Sequence, residues 1–168
     1  GPKKAFKGSL DGKNHTLSNL CLVGGGLFGE VIDSVKITNL KLANPTLVMT
    51  SANANVAGIL ANMMRGGMVD GEDDGSGNIQ TMPIPALLSN VHVANPVIKG
   101  TDYNNIVGTL IGEGALYLDV NTCSVTDAVI SASAAQVGGL VGKSATSTNI
   151  HACLFTGEAE GRVVGGIT

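Results

Sequence analysis

An apolar pattern, Φ-x-x-Φ-x-Φ with Φ an apolar residue, returns five times along the chain and constrains the fold more than any other feature. It falls at Leu17/Leu20/Leu22, Ile37/Leu40/Leu42, Leu88/Val91/Val93, Val120/Cys123/Val125 and Ile150/Cys153/Phe155. The last two apolar positions of each match are two residues apart, the period of a β-strand, whereas the x-x pair breaks that period. The second member of the pair is Asn19, Asn39, Asn90, Thr122 or Ala152. Asparagine tolerates the left-handed conformation that a bend requires. A short strand carrying a corner at each second x is therefore expected.

Downstream of each match a second motif returns, small residues leading into apolar ones: GGLFG (25–29), AGILA (57–61), GTLIG (108–112), GGLVG (138–142) and GGIT (165–168). The first Φ of each strand is Leu17, Ile37, Leu88, Val120 or Ile150, so the steps along the chain are 20, 51, 32 and 30. Setting aside the turn-rich, acidic segment 65–85 brings the second step into line with the last. The repeat is then about 30 residues, within the range of solenoid units, with one insertion and a shortened first unit. Sustained i, i+3, i+4, i+7 spacing is missing, Gly interrupts every candidate helix, and Val, Ile and Thr are abundant, so strands are expected rather than helical repeats.

The expected fold is all-β: a parallel, right-handed β-solenoid, or β-helix, of about five coils, forming one domain over 1–168. Residues 1–31 would make the opening, capping coil and 65–85 an inserted acidic, Gly-rich loop. Parallel strands stack about 4.8 Å apart, which gives a rod of roughly 20–25 Å. With 3 % aromatic residues and no Trp, the interior must be filled by aliphatic side chains.

Composition narrows the function. Charged residues are 14 % of the chain against about 25 % in a typical domain. A net charge of -3, with only Lys3, Lys4 and Lys7 grouped, lacks the basic footprint of a nucleic-acid-binding protein. The mean hydropathy is +0.28, yet no stretch approaches the roughly 18 apolar residues of a spanning helix, so no membrane span is expected here. The start at Gly1-Pro2 without Met, and a last motif broken off at Thr168, mark a segment of a larger protein. Open coil ends leave backbone groups unpaired, and end-to-end self-association is expected from them.

The opening FKGSLDGKNHTLSNL, the strands TCSVTDA (122–128) and ACLFTGEA (152–159), and VGGLVG (137–142) together resemble the GLUG-motif repeats of secreted and cell-surface bacterial proteins. The resemblance covers nearly all of the chain outside the insertion. The unit at 56–61 departs most, with Ala in place of two Gly. Such repeats occur in bacterial adhesins and beside the catalytic domains of secreted immunoglobulin-cleaving proteases. What the resemblance implies is an extracellular or cell-surface location and a structural role, with no catalytic residues to transfer.

The side chains agree with a chain that is not an enzyme. His15, His92 and His151 have no sequence neighbour that completes a triad or metal pair, and no Gly-x-Ser-x-Gly elbow precedes a helix. Cys123 and Cys153 share one inward position a coil apart and are read as stacked small hydrophobes, with a disulfide as the alternative. Cys21, placed like Lys41 in the next unit, points outward. In the insertion, Asp70, Glu72, Asp74 and Ser76 place oxygen ligands at alternate positions around Gly, a partial imitation of a calcium loop whose twelfth-position acid is replaced by Thr81. A solvated acidic loop is the reading favoured there, and calcium the alternative; no other cofactor is expected. Met63, Met64, Met68 and Met82 flank it as packing for its feet or an adaptable surface. With Phe28 and Phe155 in the core, only Tyr103, Tyr117 and Phe6 could form a sugar-stacking platform.

The function expected is a non-catalytic adhesion or display segment that meets an extracellular protein or glycan. The alternatives are an accessory β-helix flanking a secreted protease and a polysaccharide-binding or polysaccharide-cleaving β-helix.

Overall fold

The computed structural model describes residues 5–49, 55–73, 75–77, 79–100, 106–145 and 147–166. Among these the chain is all-β, without helix, and its large sheets are parallel. A 13-stranded and a 4-stranded sheet carry the parallel pairs, and a separate 2-stranded sheet is antiparallel. No helix among the described residues is long and apolar enough to cross a membrane.

The x-x interruption in the apolar pattern is resolved by backbone conformation. In the strand Ala86–Ala94 burial alternates until Ser89-Asn90, where two positions in succession are half-buried, and then alternates again in the opposite phase. Asn90 has φ 54°, and one left-handed residue resets the pleat so that Leu88 and Val91 both face the core. Asn39 (φ 54°) does the same within Lys36–Ala43, and Thr122 (φ 53°) and Ala152 (φ 52°) sit at the equivalent bends, between Leu118–Asn121 and Ser124–Gly138 and between Thr148–His151 and Leu154–Gly165.

Strands that follow one another in the sequence therefore stack with like residues in register. Ile37 pairs with Leu88, Leu88 with Val120 and Val120 with Ile150. Leu17, Leu42, Val93, Val125 and Phe155 make a second column, and Leu22, Leu47, Ile98, Ile130 and Ala159 a third. Leu17 at one end is exposed, while the middle members of these columns are buried and form the core together with residues of the four-stranded sheet such as Val31, Ala61, Ile111 and Val141. The three phenylalanines lie at its margins. Phe6 and Phe28 stack with centroids 4.7 Å apart beside the first strands, and Phe155 lies in the last strand. Phe6 is thus a packing residue rather than part of a sugar platform.

Three sequence expectations need correction. The first strand is out of frame, because Leu10 pairs with Ile37, and Leu17 pairs with Leu42 rather than Ile37. The first unit is still short, with Leu10↔Ile37 27 positions apart and Leu17↔Leu42 25 apart against 32 for Leu88↔Val120 and 30 for Val120↔Ile150, but by less than a step of 20 implies. Cys21 pairs with Thr46, and the residue opposite Lys41 is Thr16. The small-residue motif slips by one at its second occurrence, since Gly58 pairs with Gly108 and Gly108 with Gly138. In the corrected frame that unit keeps its first Gly, and Asn62 replaces the last one; the Asn62 Oδ1 accepts a hydrogen bond from the Gly26 N–H at 2.8 Å.

The insertion is a β-hairpin, not a loop. Gly67–Asp73 pairs antiparallel with Ile79–Ile84, with an irregularity between Ile79 and Thr81. Met64 pairs with Gly114 and Ala86 with Leu118. Twenty-two positions thus separate Met64 from Ala86 where four separate their partners, so the inserted stretch is eighteen positions long, 67–84.

One core position carries a polar defect. Thr109, fully buried in the turn after Gly108, has no hydrogen-bond partner for its hydroxyl among the described residues. Thr109→Val removes that unpaired group at nearly constant shape and is expected to stabilise the fold by about 1 kcal/mol, read as a higher urea midpoint at unchanged m-value. A lower midpoint would mean that the hydroxyl is satisfied in solution.

Candidate functional site

Side chains outside the core form columns as regular as those within it. Thr16, Lys41, His92, Ser124 and Leu154 follow one another in register on the outer surface. Two residues further along each strand stand Ser18, Ala43, Ala94 and Thr126. Because Ala43 and Ala94 are small, a cleft of about 240 Å³ opens between the columns, lined by Thr16, Lys41, His92, Ser124 and Thr126 over that alanine floor.

A left-handed asparagine column flanks the cleft on each side. On one side Asn90 Nδ2 donates to Asn39 Oδ1 at 2.8 Å and Asn39 Nδ2 donates to Asp11 Oδ1 at 3.0 Å. On the other, Asn95 Nδ2 donates to Asn44 Oδ1 at 3.0 Å and Asn44 Nδ2 to Asn19 Oδ1 at 3.2 Å. Asn19, Asn44 and Asn95 have φ between 51° and 58°. The left-handed backbone holds each side chain out to meet the next strand's, so one residue type serves both the bend and the ladder.

The first ladder continues into the cleft. With its Nδ2 committed to Asn39, Asn90 turns Oδ1 toward His92 Nε2, 2.8 Å away, and His92 Nε2 must donate. His92 Nδ1 is then the acceptor for the Ser124 hydroxyl, also at 2.8 Å. Donation runs in one direction from Ser124 through His92, Asn90 and Asn39 to the Asp11 carboxylate, and aligned bonds of this kind strengthen one another. Burial, with a smaller contribution from the Lys41 charge, lowers the His92 pKa from 6.5. The bond to Asn39, followed by the Lys13 N–H, lowers that of Asp11. No carboxylate lines the cleft, and Lys41 has no ion-pair partner among the described residues.

The sign of the histidine shift gives a test. A depressed folded-state value means that the fold favours neutral His92, so its contribution is present above pH 6.5 and is lost as pH falls through the folded value. Denaturation midpoints of the parent should therefore fall over that window relative to those of His92→Gln; parallel curves would show that His92 is not coupled to folding.

The residues singled out in the sequence are distributed differently. Asp70 and Glu72 lie two apart on the strand Gly67–Asp73, hence on one face of the hairpin, and Ser76 lies at its tip. Asp74 falls outside the described residues. Asp73, absent from the expected ligand set, accepts at Oδ1 from the N–H groups of Gly75 (2.9 Å) and Gly77 (3.0 Å), which closes the tip. Among the described residues no group of three or more His, Cys, Asp or Glu is placed to hold a metal ion. Of the methionines, Met64 is buried, while Met68 and Met82 are exposed on the hairpin. Tyr103 lies outside the described residues.

Cys123 and Cys153 stack as expected and are free, as is the exposed Cys21. The Cys123 N–H donates to Cys153 Sγ at 3.4 Å. Burial pushes the Cys123 thiol up to about 12, which keeps it protonated and unreactive. His151 Nε2 lies 3.0 Å from Asp119 Oδ1. No family model, curated protein or solved structure matches this chain.

Proposed function

We propose that the chain is a right-handed β-solenoid of five coils that serves as a non-catalytic binding or display segment of a secreted or cell-surface protein. The observation that supports it is the parallel pairing of like residues one repeat apart from the first strands to the last, with partners 25 to 33 positions apart except where the hairpin intervenes. Stacking of this kind multiplies each outward side chain into a row, and rows suit extended partners. The partner is an extracellular protein or glycan. Exposed apolar residues on the outermost strands, Val23 on one side and Leu154, Val163 and Val164 on the other, favour end-to-end association of copies.

The test is binding of the chain to glycan and matrix-protein arrays, with and without calcium, repeated on a variant lacking 67–84. That deletion removes mainly exposed residues and is expected to change folding stability by less than about 1 kcal/mol. Binding that survives the deletion assigns recognition to the stacked rows, and binding lost with it assigns recognition to the hairpin. No binding under any condition overturns the reading and leaves a passive spacer.

A further inference from the structure

We propose that the cleft between the two asparagine columns binds an acidic saccharide, a sugar ring carrying a carboxylate or sulfate together with free hydroxyls. The inference rests on the reading of the chain as a binding segment and names the ligand class for one of its surfaces.

The lining sets the ligand's chemistry. Lys41 offers a positive charge and only donors, and no acid stands among the residues that line the cleft with it. Ser124 has the opposite character. Its one proton is directed to His92 Nδ1, so toward a ligand its oxygen is an acceptor. The chain of donation that ends on the Asp11 carboxylate strengthens that polarity. Thr16 and Thr126 can donate or accept. A ligand that satisfies the whole set must bring an anionic group to Lys41 and a hydroxyl donor to Ser124. A simple inorganic anion meets only the first demand and a neutral sugar only the second.

Shape agrees with this. A volume of about 240 Å³ is at the small end for ligand pockets and suits one ring. The cleft is open along the column, so rings linked on either side can pass over the neighbouring rows. Both walls are fixed in advance by the asparagine ladders, and His92 is held at both nitrogens, which lowers the ordering cost of binding. With no Phe, Tyr or Trp in the lining, affinity comes from charge and hydrogen bonds and falls as salt is raised.

The experiment is an NMR titration of the full chain with a galacturonate tetramer, the corresponding neutral galactose tetramer, and sodium acetate. The acidic tetramer is expected to shift the amides of residues 41–43, 92–94 and 124–126 and to bind at least about tenfold more tightly than either control. Lys41→Met should weaken it about tenfold and Lys41→Arg should restore most of the loss, while Ser124→Ala should weaken the acidic sugar but leave the response to acetate unchanged. Equal binding of the neutral tetramer, an unaffected Lys41→Met variant, or shifts confined to the hairpin would overturn the assignment. If the arrays show a partner while the cleft stays silent, the cleft assignment alone fails; if neither responds, the binding-segment reading fails with it.

Discussion

Gly108→Ala is expected to cost about 3 kcal/mol or more of folding stability, one of the largest losses available to a single methyl group in this chain. Gly108 stands between Gly58 and Gly138 in a column of close backbone approach. A β-carbon there would run into the Ile111 carbonyl oxygen in its own turn and the Gly142 nitrogen of the next unit. Neither is the end of a flexible side chain, so the clash can be relieved only by parting backbone segments. Gly58 repeats the arrangement, with the Ala61 oxygen of its own turn and the Gly112 nitrogen of the next unit both 2.6 Å from its would-be β-carbon. Gly29 supplies the control, because nothing lies within 4 Å of the corresponding point. Gly29→Ala should be neutral or stabilise by up to about 1 kcal/mol through the unfolded chain. Urea titrations followed by circular dichroism measure both, and a Gly108→Ala midpoint as high as that of Gly29→Ala would show that the turn can open without loss.

That glycine column is legible in the sequence, though one unit falls a residue out of frame. The motif has two weak anchors, a small residue and an apolar pair, and at 57–61 alanines satisfy both in either frame. The pairing of Gly58 with Gly108, and of Ala61 with Phe28 and Ile111, settles the choice. The first strand slips for a related reason. Leu10 pairs with Ile37 and Leu17 with Leu42, but Gly12 and Lys13 lengthen the bend between them, so the spacing fails there while Leu17/Leu20/Leu22 meets it by coincidence. The recurrence of Ala-Asn-Pro at 43–45 and 94–96 fixes the frame and discloses the second asparagine column.

The cleft is half legible. Lys41, His92 and Ser124 are recognisable as equivalent outward positions from the strand pattern alone. Their chemistry is not, since His92 meets Ser124 thirty-two residues away and its tautomer depends on an amide oriented by Asn39, fifty-one residues before Asn90. The hairpin is hidden by composition. Its acidic, Gly-rich tip reads as loop, whereas the strands are set by pairing of Met68 with Pro83 and Val69 with Met82, which no short-range signal announces.

Asn90→Ala is expected to cost about 2–3 kcal/mol, and Asn90→Gly about half as much, because the two variants lose the same hydrogen bonds but differ in the backbone. Alanine at φ 54° carries the left-handed penalty of about 1 kcal/mol or more, which glycine avoids. Both strip a donor from Asn39 Oδ1 and an acceptor from His92 Nε2, half-buried groups whose loss costs about 1 kcal/mol together or more. The same logic reverses one unit on. Thr122 is β-branched and sits at φ 53°, so Thr122→Asn should relieve strain and stabilise by about 1 kcal/mol. A double-mutant cycle on Asn39→Gly and Asn90→Gly separates the ladder from the bend. Coupling near about 1 kcal/mol would show that the amides support one another across strands, and strict additivity would mean that asparagine is there for its backbone alone.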